Sequence, residues 1–129
     1  MGDQKRRILV IDDDPGVLQL LGEMLEDEGY CVHLLPSGKN VNEVLRNEVI
    51  DLLVLDLAMP EPDGFDVLKS IRKSMPGLKI LVISGYLQGG LLKAAQVMGA
   101  TATLAKTDVP HKLLSTVEGL LRTHPALPT

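Results

Sequence analysis

The sequence has a single cysteine, Cys31, so no framework of disulfides holds the fold. The setting of that thiol, Gly29-Tyr30-Cys31-Val32-His33-Leu34-Leu35, suits a small buried hydrophobe in a reducing compartment better than a catalytic nucleophile. Positive charge is also scarce. Thirteen Lys and Arg stand against 17 Asp and Glu, a net charge of -4 with a pI of about 5.3, so no diffuse field draws the chain to nucleic acid or to an anionic membrane. Long apolar runs are missing too. Met1 to Arg7 is charged and leads straight into a short strand-like segment, with neither a signal-peptide core nor a membrane span, and the cytoplasm is the default expectation. The first loop, Asp12-Asp13-Asp14-Pro15-Gly16, lacks a glycine-rich fingerprint and a phosphate-loop lysine, and its three acids would repel a pyrophosphate. His33, His111 and His124 share no metal-ligand spacing and are read as surface or half-buried histidines, not phosphodonors.

What is present is one domain's worth of alternating structure. With 129 residues and 45% hydrophobic content, one core is expected, over residues 1–122, followed by a tail at 123–129. No repeat, low-complexity tract or linker precedes that tail, and no output domain is expected within these residues. Ile8-Leu9-Val10-Ile11 is a continuous apolar run, the mark of a strand buried on both faces. Asp14 is placed to cap a helix whose first position is Pro15 and whose apolar face is Val17, Leu18, Leu20, Leu21, Met24 and Leu25. Four more such units follow. Tyr30–Leu35 leads to a helix near Val41–Arg46, among asparagines that are poor helix formers; Leu52–Leu55 leads to one from about Phe65 to Ser74. Leu78–Ile83 precedes a helix across Leu91–Met98, and Thr101–Ala105 precedes Pro110–Leu121. Five βα units predict an α/β sandwich built on a parallel sheet, because parallel strands require crossover helices.

In such a sheet, chemistry belongs at the carboxyl ends of the strands. There the sequence places Asp12, Asp13 and Asp14 after strand one, Asp56 at the end of strand three, Ser84 after strand four and Lys106 after strand five. Carboxylates crowded together repel unless a cation is shared, and hard oxygen ligands favour Mg2+. A carboxylate can also attack a phosphoryl group to form an acyl phosphate, a transfer that needs charge stabilisation from a metal and a lysine, with a hydroxyl as donor. Each residue alone has a plainer reading: Asp14 as a cap, Lys106 as a solvated lysine, Ser84 as a turn residue, Asp63-Gly64 as a turn into a helix. Joint placement at four strand ends makes coincidence the poorer account.

Four segments resemble the receiver domain of bacterial response regulators, over nearly the whole chain from Ile8 to about Leu121. They are Ile8-Leu9-Val10-Ile11-Asp12-Asp13-Asp14, Leu53-Val54-Leu55-Asp56-Leu57-Ala58-Met59-Pro60-Glu61-Pro62-Asp63-Gly64, and the pair Leu81-Val82-Ile83-Ser84-Gly85 with Met98-Gly99-Ala100 through Leu104-Ala105-Lys106. The resemblance implies a flavodoxin-like (βα)5 doubly wound sandwich with five parallel strands in the order 2-1-3-4-5. It implies Asp56 as phosphoacceptor, and Mg2+ (or Mn2+) held by Asp13 directly, by Asp12 largely through water, by Asp56 and by the Ala58 backbone carbonyl. Ser84 and Lys106 take the phosphoryl-sensing roles. Implied partners are a sensor histidine kinase or a histidine phosphotransfer protein as donor, and a downstream protein whose binding is switched. Nucleic-acid contact and membrane insertion are not implied, and a homodimer is compatible with the pattern.

Two positions depart from that pattern. Thr107 stands where the family usually has a proline after the lysine, and Thr103 where it has an aromatic switch residue. These motivate a second reading, a degenerate receiver acting as a phosphorylation-independent interaction module. If the chain is phosphorylated instead, Gly85-Tyr86-Leu87-Gln88-Gly89-Gly90, with its three glycines and Tyr86, is the candidate to carry the signal from Ser84 in place of Thr103. A third reading, an aspartate-nucleophile phosphatase, expects a second aspartate two residues after the nucleophile, where this chain has Ala58.

Overall fold

In the computed structural model, which describes residues 5–57, 64–85 and 89–122, strands and helices alternate along the chain. They are β1 (Arg7–Ile11), α1 (Pro15–Asp27), β2 (Cys31–Leu35), α2 (Val41–Asn47), β3 (Leu52–Asp56), α3 (Gly64–Ser74), β4 (Lys79–Ser84), α4 (Gly89–Val97), β5 (Ala102–Ala105), a 3-10 turn (Lys106–Asp108) and α5 (Val109–Arg122). All strand pairs are parallel and the order is β2-β1-β3-β4-β5. This is the flavodoxin-like arrangement, with the strand order reversing beside β1. The crevice between β1 and β3 therefore opens at their carboxyl ends.

The apolar runs divide by parity between two cores. Ile8, Val10, Leu52, Val54, Leu81, Ile83 and Leu104 face α1 and α5, meeting Leu21, Leu25, Leu113 and Val117. Leu9, Ile11, Leu53, Leu55, Ile80 and Val82 face the opposite side, against Val41, Leu45, Val67, Leu68, Ile71 and Ala95 of α2, α3 and α4. Burial on both faces explains why β1, β3 and β4 read as unbroken apolar runs. Edge strand β2 differs: its residues are half-buried or exposed, and Cys31 is only half-buried instead of enclosed, because only one flank of the strand is paired.

Local chemistry sets the helix limits. The Asp14 side chain accepts from the Gly16 and Val17 backbone N–H groups at 2.9 and 3.3 Å, the capping role expected from the sequence. Despite its asparagines, α2 forms because Val41 and Leu45 are buried and Asn42 Nδ2 donates to Ser70 Oγ at 3.0 Å. Tertiary packing there outweighs intrinsic propensity. The end of α4 closes with Gly99 at φ 117, where the Gly99 N–H reaches Gln96 O and the Ala100 N–H reaches Ala95 O, a pairing that requires a left-handed residue. No helix among the described residues is long and apolar enough to cross a membrane.

Candidate metal and phosphoacceptor site

Side-chain alternation decides which strand-end residues can meet. Ile8 and Val10 set the parity that continues to Asp12, Leu52 and Val54 that of Asp56, and Ala102 and Leu104 that of Lys106; all three belong to the α1 and α5 side of the sheet. Register brings β1 and β3 level, with Ile11 opposite Leu55, so the next residues on each strand, Asp12 and Asp56, come together at the rim. Ser84 has the opposite parity, that of Ile80 and Val82, and its register partner is Ala105, the residue before Lys106.

The geometry follows from that convergence. Carboxylate oxygens of Asp12, Asp13 and Asp56 lie within 4.8 Å of one another, the one group of three or more acids, histidines or cysteines among the described residues that could hold a metal ion. Asp12 and Asp56 are 1% and 2% exposed, whereas Asp13 opens to solvent. Lys106 Nζ reaches across from the 3-10 turn to Asp56 Oδ2 at 3.3 Å and Asp12 Oδ2 at 3.5 Å. The other Asp12 oxygen, Oδ1, accepts from the Asp14 N–H at 2.9 Å. One acid is thus tied to the start of α1 and to the lysine together.

Electrostatics reflect this crowding. Burial pushes the Asp12 carboxyl above its ordinary value, the neighbouring Asp56 charge adds to the rise, and the Asp14 N–H and Lys106 oppose it. For Lys106, burial alone would favour the neutral amine, but the charges of Asp56 and Asp12 outweigh it and hold the ammonium above its usual value. Two buried carboxylates and one exposed one against a single ammonium form a hard-oxygen donor set with uncompensated negative charge. Such a set fits Mg2+ better than a softer metal.

Other expected residues fall as follows. Ser84 is fully buried at the end of β4. Asp14 is exposed and spent on capping. Thr103 is half-buried in β5 opposite Val82, and Thr107 lies inside the 3-10 turn, an element the sequence did not announce. His33 Nε2 approaches Glu48 Oε1 at 3.7 Å on the β2 edge and His111 is exposed, both outside the acidic group. Met75 and Met98 pack against the core, as fillers would. Ala58, Met59, the Pro60–Asp63 stretch, Tyr86, Leu87, Gln88, His124 and the tail 123–129 lie outside the described residues.

Two residues matter more than sequence reasoning indicated. A Cβ on Gly64 would come within 2.5 Å of Leu57 Cα and 2.7 Å of Asp56 O, so the first turn of α3 is pressed onto the backbone of the acceptor strand. The Asp-Gly dipeptide was the available signal, but a turn explained it equally well. Arg72 carries no mark in the sequence that sets it apart from other helix cations, yet its guanidinium donates four hydrogen bonds to backbone carbonyls.

A sequence profile described as the response regulator receiver domain matches residues 8–118, and the chain belongs to that family, the signalling receiver of two-component systems. It is 38% identical over 113 residues to an uncharacterized 14.6 kDa protein of Leptolyngbya boryana, covering 86% of each. It is also 38% identical over 86 residues to the transcriptional regulatory protein GlrR of Escherichia coli, covering 67% of this chain and 19% of that protein. The chain thus spans about a fifth of that longer relative. Among solved structures, a CheY-like receiver domain protein from Methanospirillum hungatei superposes with a TM-score of 0.84 at 29% identity, covering 92% of this chain and 94% of that one. The response regulator TrrA of Thermotoga maritima, solved in complex with Mg(2+)-BeF, gives 0.80 at 30% identity, covering 89% and 98%.

Proposed function

We propose that this receiver accepts a phosphoryl group on Asp56, in a reaction that requires Mg2+ (or Mn2+), from a sensor histidine kinase or a histidine phosphotransfer protein, and that the modified form changes its affinity for a downstream protein. The observation that carries this reading is the convergence of Asp12, Asp13 and Asp56 within 4.8 Å, with Lys106 3.3 Å from the acceptor carboxylate. An Asp56 oxygen forms the new P–O bond as the P–N bond to the donor imidazole breaks, and that imidazole leaves with the electron pair and takes up a proton. Chemistry of this kind rests on positioning and charge stabilisation, not on acid-base catalysis.

The division of labour follows from the donor set. Asp12, Asp13 and Asp56 would hold the cation, joined by the Ala58 carbonyl. The ion, when bound, offsets charge on the transferred group. Lys106 meets another part of that charge, and Ser84 supplies a hydroxyl at the neighbouring strand end. Residues 1–122 form the working unit in this reading and 123–129 a tail, and the cytoplasm is the compartment where such a donor is met. The intact acidic set and lysine favour this over a phosphorylation-independent module, although Thr103 has no ring to swing. We therefore assign the signalling movement to the segment from Ser84 into α4.

Mass spectrometry after incubation with a small phosphodonor and Mg2+ tests the proposal. One labile phosphoryl adduct is expected in the wild type, absent with a chelator and absent in Asp56→Asn. An equal adduct in that variant overturns the assignment.

A further inference from the structure

The C-terminal end of α4 is fastened by a side chain of α3. At its C-terminal end, the Gly99 carbonyl accepts from Arg72 Nε at 3.0 Å and from Nη2 at 2.6 Å, a two-pronged grip from α3. The same guanidinium donates through Nη1 to Met75 O at 3.1 Å and Pro76 O at 2.8 Å, so it also closes the end of its own helix. No carboxylate competes for it in the described ion pairs. The side chain is half-buried, and that burial weakens its hold on its proton.

Gly99 is suited to receive this grip. Its backbone is left-handed, and a Cβ there would stand 2.7 Å from Arg72 Cγ and 2.9 Å from Nε, so the arginine stem occupies the space a side chain would fill. Two residues on, the Thr101 N–H donates to Ile80 O at 2.8 Å while Thr101 Oγ1 accepts from the Ile80 N–H at 2.9 Å. The turn after α4 is therefore fastened to both α3 and β4. At its other end, α4 begins at Gly89, five residues beyond Ser84, with Gly85 in the connection and Gly89 and Gly90 as the first two residues of the helix.

We propose that Arg72 makes Gly99 the fixed pivot of α4, so that phosphorylation at Asp56, felt through Ser84, swings the N-terminal end of the helix while its C-terminal end stays in place. Arg72 is a positioning residue here: it touches neither the acceptor nor the cation, and it sets which end of the helix can move. A held end converts a small displacement at Ser84 into a rotation of the whole helix face, where an unheld helix would shift bodily or fray at its last turn. The inference rests on the function proposed above and adds the mechanical element to it.

The test compares amide chemical shifts and hydrogen exchange of the full chain with and without Mg2+ and a beryllofluoride phosphoryl mimic, in wild type, Arg72→Met and Arg72→Lys. In the wild type, shifts are expected at Gly85 and Gly89–Leu92, with Met98–Thr101 nearly unmoved. In Arg72→Met the mimic-induced shifts should spread into Met98–Thr101, and exchange there should quicken at least tenfold while Asp56 phosphorylation stays within twofold. Arg72→Lys keeps the charge but loses the fork; it should show the same spread in weaker form and covers the case in which Arg72→Met does not fold. Wild-type shifts as large at Gly99 as at Gly89, or an unchanged pattern in the folded variant, overturn the pivot while leaving phosphorylation standing. A wild type that takes no phosphoryl group removes the functional reading and the pivot with it.

Discussion

Lys106 Nζ lies 3.3 Å from Asp56 Oδ2, so the proposed acceptor already faces a cation before any phosphoryl group arrives. The same ammonium is 3.5 Å from Asp12 Oδ2, which makes it the internal counter-charge of two buried acids.

Removing that lysine leaves the acids facing one another. Lys106→Met is expected to cost about 1–3 kcal/mol of stability without metal, the usual range for losing a charge-assisted hydrogen bond. Saturating Mg2+ should restore most of the loss, and the phosphorylated form should accumulate more slowly. Thermal unfolding with and without Mg2+ measures the first effect; an Mg2+-independent loss would show that the lysine's role is packing.

Asp12 should show the opposite sign. Its carboxyl is raised mainly by burial, so folding favours the protonated form, and the ionised group opposes folding at every pH above its folded value. Stability of the metal-free protein should fall as pH rises through that value. Asp12→Asn should flatten this part of the profile and raise the neutral-pH unfolding midpoint by a few degrees, while weakening Mg2+ binding at least tenfold. A lower midpoint in the variant would contradict the assignment.

Asp14 separates capping from metal binding. Asp14→Ala should destabilise α1 by about 1 kcal/mol, as loss of an N-cap does, with Mg2+ affinity reduced less than twofold. Asp13→Asn should leave stability nearly unchanged and reduce Mg2+ affinity by an order of magnitude or more. Parallel denaturation and Mg2+ titrations distinguish the pair; equal loss of affinity in both would break the distinction.

Gly64→Ala probes the contact between α3 and the acceptor strand. The new methyl would collide with the Leu57 and Asp56 backbone, and overpacking of this kind costs about 1–3 kcal/mol. Because the displaced peptide belongs to the acceptor, the phosphorylation rate should drop more than in a control of equal stability loss such as Leu45→Ala. Equal rates in the two variants would make Gly64 purely structural.

Much of this was legible in the residues themselves. Ile8–Ile11, Leu52–Leu55 and Ile80–Ile83 read as strands buried on both faces, since a continuous apolar run this short between turn signals has no exposed side, and Pro15 behind Asp14 marked a helix start by the shape of its backbone. That pattern required a parallel sheet, and polar residues at the strand ends marked the rim where a ligand could bind.

What the sequence left open was every relationship that depends on two distant segments meeting. Arg72 reads as a solvated cation until Gly99, 27 residues away, turns its carbonyl toward it. Gly64 reads as a turn residue until the backbone of Leu57 closes against it. Cys31 reads as buried until β2 proves to be an edge. The 3-10 turn that carries Lys106 back over Asp12 and Asp56 has no local signature either. Propensity and periodicity are properties of neighbouring residues and are written along the chain. Hydrogen bonds to unpaired carbonyls, the close approach of backbones and the sharing of one ammonium by two carboxylates arise only when the sheet register has brought their partners into place.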